Sequence, residues 1–156
     1  MRPLRLAALS TRRLALGSAA AILVADQLTK WWAQRALAAG PIDLGIVRLR
    51  LVENSGAAFG LLQGAGSLLA LAAVVAAVLI VLSIRRVGRT SEALALGLIL
   101  GGALGNLTDR LLRGPGLADG QVVDFVDLGW WPVFNVADSA ISVGAVVLAL
   151  GALRSH

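Results

Sequence analysis

The strongest constraint on this chain is a set of four long apolar stretches. They cover residues 14–33, 67–84, 92–112 and 136–153. Each is close to the roughly 20 residues that an α-helix needs to cross the hydrocarbon core of a bilayer. No charged side chain occurs from Asn54 to Ile84, and 58% of all residues are hydrophobic, well above the usage of soluble domains. The sequence therefore predicts an all-α integral membrane protein with four transmembrane helices, forming a single domain over residues 1–156.

Two interpretations fit the start of the chain. Several arginines in residues 1–13 precede an apolar stretch, as they do in a secretory signal peptide. A signal peptide, however, ends at a cleavage site that is followed by a soluble mature domain, and the sequence offers no convincing example of either. We therefore interpret residues 14–33 as the first spanning helix. Within it, Asp26 and Lys30 are four residues apart and can pair on one helix face.

The two longer connections have a different character. In residues 34–62, Pro41 and Gly45 disfavour a helix, and residues 46–52 alternate apolar and basic side chains for part of their length. This pattern predicts a small extracytoplasmic β-rich subdomain. Residues 113–135 are predicted to form a second extracytoplasmic loop.

The distribution of charge predicts the orientation in the membrane. The side with both termini and the loop after the second helix carries eight of the 14 basic residues and one of the nine acids. Because loops rich in Lys and Arg stay in the cytoplasm, both termini are predicted to be cytoplasmic. The four tryptophans then lie at the outer boundary, where amphipathic rings prefer to sit. They are Trp31, Trp32, Trp130 and Trp131.

Composition also excludes several kinds of chemistry. The chain has no cysteine, and its single histidine is His156. Disulfides, thiolate nucleophiles, Cys- or His-ligated metal clusters and a Ser-His-Asp triad are therefore excluded. The net charge of +5 does not predict a nucleic-acid partner, because the basic residues flank apolar stretches and form no soluble basic face.

The segment 122–139 is the best candidate for a site. It carries Asp124, Asp127, Asn135 and Asp138, and it ends where the last apolar stretch begins. An acid at a membrane boundary is costly and so suggests function. Asp124 and Asp138 are 14 residues apart with a Trp-Trp-Pro turn between them, so the chain can fold back and bring them together. Two adjacent carboxyl groups cannot comfortably both ionise, and such a pair can activate water against a carbonyl group, as in aspartic proteases.

Other polar residues are predicted to gather at the same boundary. Together they come from four separate segments, which indicates a shared site. The set is Asp26, Lys30, Asn54, Asn106, Asp109, Arg110, Asp124, Asn135 and Asp138.

Structural roles compete with the functional ones for some of these residues. Asp138 in the first turn of a helix can serve as a helix cap. Asp109 and Arg110 are predicted to form an ion pair at a helix end. Asp26 and Lys30 are predicted to form a structural pair at the rim of the site.

Five motifs, in order, resemble a known family. The residues 26–30, 54–60, 101–110, 122–125 and 134–141 read DQLTK, NSGAAFG, GGALGNLTDR, VVDF and FNVADSAI. They resemble the motifs of bacterial lipoprotein signal peptidase, also called signal peptidase II, over residues 22–141. Five motifs in matching order are far more specific than any one of them.

The resemblance implies an aspartic endopeptidase of the bacterial inner membrane. Such an enzyme cleaves prolipoproteins just before a cysteine that carries diacylglycerol, with its site at the outer face. The family's catalytic pair falls on Asp124 and Asp138, whereas the resemblance implies no role for Asp127. No cofactor or metal is expected, and the expected partners are the lipidated substrate and membrane lipid, with the chain itself a monomer. Substrate-binding or supporting roles are implied for Asp26, Lys30, Asn54, Gly56, Asn106, Asp109, Arg110 and Asn135.

Two other functions are compatible with the residues alone. A small transporter subunit could use the acids as a proton or cation relay, which predicts acids near the middle of the membrane. A membrane lipid hydrolase could hold Mg²⁺ with Asp and Asn side chains, which predicts sensitivity to chelators.

Overall fold

The computed structural model describes residues 2–56, 66–114, 118 and 120–154, with side chains described from Leu9 onward. It contains four helices and three short strands. They are α1 (Arg2–Ala36), β1 (Ile42–Asp43), β2 (Arg48–Asn54), α2 (Gly66–Ile84), α3 (Thr90–Leu112), β3 (Val122–Asp127) and α4 (Val136–Leu153). Residues 57–60 of the predicted small-residue turn lie outside the described part of the chain. The prediction of a mostly helical protein with a small sheet is confirmed.

Three of these helices are long and apolar enough to cross a membrane. They are α2, α3 and α4, with 19, 23 and 18 residues. The 35-residue helix α1 carries Asp26 and Lys30 within its apolar part and is not one of these three, so the fourth predicted span stays a prediction. Helix α2 has few buried residues along its length, and most of its leucines and valines are exposed, as expected of a helix facing lipid.

Helix α3 lies between α1 and α4, and glycines make its close packing possible. A methyl group at Gly101 would lie 2.5 Å from the carbonyl oxygen of Ala19 on α1. At the next residue, Gly102, it would lie 2.5 Å from the carbonyl oxygen of Ala137 on α4. Two backbones therefore approach α3 from two sides at the same level, as small residues permit in membrane helices. The first turn of α4 is thereby held against the middle helix.

The sheet is antiparallel with the order β1-β2-β3. Arg48 pairs with Asp127 and Val52 with Asp124, with an irregularity in register between these pairs. Here the prediction was wrong, because residues 113–135 were expected to be loop and instead supply the third strand. The first four residues of β3 are all buried, so the strand shows no alternation of exposed and buried side chains by which it could be recognised.

Strand β3 is anchored to the end of α1. Phe125 is buried with Ala33 and Leu37, and its ring meets that of Trp32 edge to face at a centroid distance of 6.5 Å. This contact fixes the strand beside the helices. As a result, the carboxyl group one residue earlier in the chain faces the start of α4.

Candidate active site

Asp124 and Asp138 line the same cavity. Asp124 lies in β3 with only 1% of its surface exposed, and Asp138 lies in the first turn of α4. The connection between them reverses direction near Gly129, which has a φ of 79°, and Val126 and Phe134 form a bridge that closes it. The cavity has a volume of about 330 Å³. Its lining residues are Asn54, Gly56, Leu69, Asn106, Arg110, Val122, Asp124, Trp131, Pro132, Val133, Phe134, Asp138, Ile141 and Ser142.

Asn135 connects the two acids directly. Its side-chain Nδ2 donates to Asp124 Oδ1 at 2.6 Å, and its backbone N–H donates to Asp138 Oδ2 at 3.3 Å. Its Oδ1 in turn accepts from the backbone N–H of Asp138 at 2.9 Å. The last two bonds form a capping box at the start of α4, so the predicted capping role of Asp138 is present together with its place in the cavity. One fully buried residue therefore holds both carboxyl groups, that of Asp124 through its side-chain amide and that of Asp138 through its backbone N–H.

Two further amides complete the shell around the acids. Asn54 Nδ2 donates to Asp124 Oδ2 at 3.0 Å, and Asn106 Nδ2 donates to Asp138 Oδ1 at 2.8 Å. All four carboxyl oxygens thus accept a hydrogen bond. Such bonds fix the planes of both carboxyl groups and leave their remaining lone pairs for substrate, water or a shared proton.

Burial raises the pKa of Asp124 to about 6, from an ordinary value of 3.8. The bond from Asn54 opposes this rise, the charge of Asp138 adds to it, and the bond from Asn135 opposes it again. The carboxyl group therefore titrates in the range where it can hold or release a proton under mild conditions. This is the property that acid–base catalysis requires.

The raised pKa of Asp124 predicts a pH-dependent stability. The folded state binds a proton more tightly than the unfolded state, so stability falls as pH rises from 3.8 through about 6. The full effect is about 3 kcal/mol, since one pKa unit corresponds to about 1.4 kcal/mol. Thermal unfolding in detergent micelles at pH 4 and pH 8 should show this loss, and Asp124→Asn should reduce it. An identical pH dependence in both proteins would contradict the prediction.

A second group of charges lies beneath the cavity, and it is fully buried. Lys30 Nζ lies 2.8 Å from Asp26 Oδ2 and 2.7 Å from Asp109 Oδ2, and all three side chains are 0% exposed. Arg113 Nε pairs with Asp109 Oδ1 at 2.9 Å. The predicted pair of Asp26 and Lys30 is present, but its predicted place at the rim was wrong. A methyl group at Gly105 would lie 2.5 Å from Asp26 Oδ2, so this glycine makes room for the pair between α1 and α3.

The predicted ion pair between Asp109 and Arg110 does not form. Adjacent residues on a helix point in different directions, whereas residues four apart share a face. Asp109 therefore pairs with Arg113, and its other oxygen accepts from the backbone N–H of Val123 in β3 at 3.2 Å. Arg110 instead lines the cavity and donates to the carbonyl oxygen of Gly56 at 3.0 Å.

The sequence and fold were compared with those of known proteins. The profile of the family described as signal peptidase (SPase) II matches residues 18–154. The chain belongs to the signal peptidase II family. It is accordingly an enzyme, an aspartic peptidase of this type, and the transporter alternative finds no support among its relatives.

Named relatives and solved structures agree with this family. The chain is 51% identical to a lipoprotein signal peptidase of Rhodococcus jostii over 85% of its own length and 68% of that protein. It is 46% identical to a lipoprotein signal peptidase of Mycobacterium avium, over 88% of its own length and 78% of that protein. A solved bacterial membrane enzyme superposes with a TM-score of 0.80 at 26% identity, covering 90% of this chain and 87% of the other. A second bacterial membrane enzyme structure gives a TM-score of 0.78 at 25% identity, covering 91% of this chain and 94% of the other.

The signal peptidase II motif residues occupy three positions relative to the cavity. Asn54, Gly56, Asn106, Arg110, Asp124 and Asp138 line it. Asn135 is fully buried and bonded to both acids, and Asp26, Lys30 and Asp109 form the charged group below. Asp127 lies outside, where the hydrogen bond from Arg50 lowers its pKa.

Two residues of the buried group were missed by the sequence analysis. Gln27 Nε2 lies within hydrogen-bonding distance of Asp26 Oδ2, Asp109 Oδ1 and the carbonyl oxygen of Gly105, at 3.1 to 3.2 Å. Arg113 joins Asp109 to Gln34 on α1. The four-residue spacing of Asp109 and Arg113 was an available signal, whereas nothing in the sequence around Gln27 indicated its partners.

Proposed function

We propose that this signal peptidase II removes the signal peptides of diacylglyceryl-modified prolipoproteins, cleaving before the lipidated cysteine, with Asp124 and Asp138 as the catalytic pair. The observation that carries this assignment is the shared cavity in which Asn135 binds both carboxyl groups. The raised pKa of Asp124 supports it, because one member of such a pair must hold a proton while the other does not.

The proposed reaction needs only the two acids and one water molecule. The ionised carboxyl group takes a proton from water as the water oxygen attacks the scissile carbonyl carbon. The protonated carboxyl group donates to the carbonyl oxygen, which gives a neutral tetrahedral intermediate. That intermediate then collapses and the C–N bond breaks. The leaving nitrogen receives the proton taken from water, and one hydroxyl group of the intermediate returns its proton to the carboxylate that had donated to the carbonyl oxygen.

The remaining motif residues are proposed to support this pair. Asn54, Asn106 and Asn135 orient the two acids through the bonds described above. Arg110 and the backbone of Gly56 line the cavity and are proposed to bind the substrate main chain. Asp26, Lys30 and Asp109 are proposed to hold α1, α3 and α4 together below the cavity, since Asp26 Oδ1 also accepts from the backbone N–H of Ala137.

We propose that the chain is a single membrane domain over residues 1–156, with α1 as a fourth span. In this placement both termini are cytoplasmic and the site lies at the outer face of the bacterial inner membrane. The exposed tryptophans near the sheet and the arginines between α2 and α3 support this orientation. A monomer suffices, because every proposed site residue comes from one chain. The substrate then enters sideways with its acyl chains still in lipid.

The test is cleavage of a diacylglyceryl-modified prolipoprotein by the purified protein in detergent or vesicles. Release of the signal peptide is expected with and without EDTA, and the unlipidated precursor should be a poor substrate. Absence of cleavage of the lipidated precursor by the folded protein would reject the proposed substrate. Loss of cleavage in EDTA would instead favour the metal-dependent alternative.

A further inference from the structure

The direction in which each asparagine faces the acids is chemically important. A side-chain amide has a donating end, Nδ2, and an accepting end, Oδ1. Two of the three amides are fixed by backbone N–H groups, which can only donate. Gly56 N–H donates to Asn54 Oδ1 at 3.0 Å, and Asp138 N–H donates to Asn135 Oδ1 at 2.9 Å. The Nδ2 ends of both residues must therefore face Asp124.

The orientation of the third amide, that of Asn106, is fixed by side chains instead of a backbone N–H group. Its Oδ1 accepts from Lys30 Nζ at 2.9 Å and also from Asn135 Nδ2 at 3.1 Å. An ammonium group carries three donors and no acceptor. All three donors of Lys30 are used within the protein, on Asp26, Asp109 and Asn106. The closest donor to this oxygen is therefore a fully buried positive charge.

We propose that Lys30 is a positioning residue, whose ammonium group fixes the amide of Asn106 so that its Nδ2 end faces Asp138. The inference rests on the proposed function of the acid pair. A reversed Asn106 would place Oδ1 against Asp138, and two acceptors can meet only if Asp138 carries a proton. Lys30 thereby disfavours a proton on Oδ1 of Asp138, because Asn106 Nδ2 donates to that oxygen.

Several charged groups surround Asp138, and each must be considered in the test. Asp26 and Lys30 face it from α1, Arg110 from α3 and Asp124 from β3. Replacing Lys30 alone would leave Asp26 buried without a cation and Asp109 with Arg113 alone, which would destabilise the protein for reasons unrelated to Asn106.

The experiment therefore uses a protein that already carries Asp26→Asn, and the kcat of this single variant is the baseline. Lys30→Gln and Lys30→Met are each added to it and compared. Gln and Met are similar in length and both neutral, but only Gln can donate to Asn106 Oδ1. We expect kcat to be at least about tenfold higher with Gln than with Met. In the Met variant Asn106 is no longer fixed, so its hydrogen bond to the charged Asp138 is lost. KM should be similar in the two, and the acidic limb of the kcat–pH profile should differ.

Two controls separate positioning from stability. In an Asn106→Ala background the difference between Gln and Met should vanish, because the amide to be positioned is gone. Asn106→Asp keeps Lys30 and its charge partners but presents only acceptors to Asp138 when ionised, so it should lose activity by a similar factor. If the Met variant does not accumulate folded, the Gln variant carries the test against the Asp26→Asn baseline, because its donor to Asn106 Oδ1 should keep kcat within about tenfold of that baseline. Equal kcat and equal pH profiles for Gln and Met, or near wild-type kcat for Asn106→Asp, would overturn the proposal.

Discussion

Replacing either Asp124 or Asp138 with Asn is expected to reduce cleavage of a lipidated prolipoprotein by at least about a thousandfold. Each acid is assigned one proton transfer, and general acid–base contributions are about 10² to 10⁴-fold. An amide can neither accept a proton from water nor supply one to the carbonyl oxygen. Because the two acids act as a pair, the double variant should be little worse than either single one.

The matched control for this prediction is Asp127→Asn. Asp127 belongs to the same segment and the same strand as Asp124, but it pairs with Arg50 outside the cavity. Its replacement should leave kcat within about twofold, because neither Asp127 nor Arg50 lines the cavity. All variants should be recovered from the membrane in equal amounts, with similar unfolding temperatures near pH 4, where Asp124 is protonated in the folded wild type. Near-normal turnover by Asp124→Asn would reject the catalytic assignment.

Removal of the Asn135 side chain should produce the second-largest loss. Asn135→Ala deletes the donor to Asp124 and the acceptor for the Asp138 backbone N–H in one step. We expect about a hundredfold loss in kcat, because one charge-assisted hydrogen bond is lost and both acids become less well oriented. The lost helix cap should also cost about 1 kcal/mol of stability.

Asn135→Ser separates these two effects. The hydroxyl oxygen of serine can still accept from the backbone N–H of Asp138, so the cap is kept. It is too short to reach Asp124 as the amide does. Asn135→Ser should therefore unfold close to the wild-type temperature and yet lose most of its activity. If Ser restored activity along with stability, Asn135 would act only as a cap.

The placement of the acids was predictable because it depends on local features. Asp138 begins the last apolar stretch, so it had to lie at a helix start, and Asp124 is flanked by apolar residues that require burial. A Trp-Trp-Pro sequence between them predicted a reversal of the chain. The apolar helices α2, α3 and α4 required only counts of apolar residues. Each of these inferences uses residues within a single stretch of the chain.

The features that were missed depend on distant partners. Strand β3 becomes a strand by pairing with β2 about 70 residues earlier, and its buried residues show no two-residue period. The charged neighbours of Asp109 in the sequence are the basic residues Arg110 and Arg113, whereas its partner on α1 follows from the depth at which α1 and α3 cross. That depth is set by glycine contacts such as that of Gly101 with Ala19, which helical spacing alone does not specify.

The buried Lys30 has a consequence for how the protein is made. One of its two counter-ions, Asp109, is translated 79 residues later than Lys30 itself. Until that residue leaves the ribosome, a solitary α1 in lipid would hold its ammonium group with Asp26 as its sole carboxylate partner. With α1 as the proposed fourth span, we expect its stable integration to require the later arrival of α3, and nascent chains truncated before residue 109 should remain extractable or be degraded.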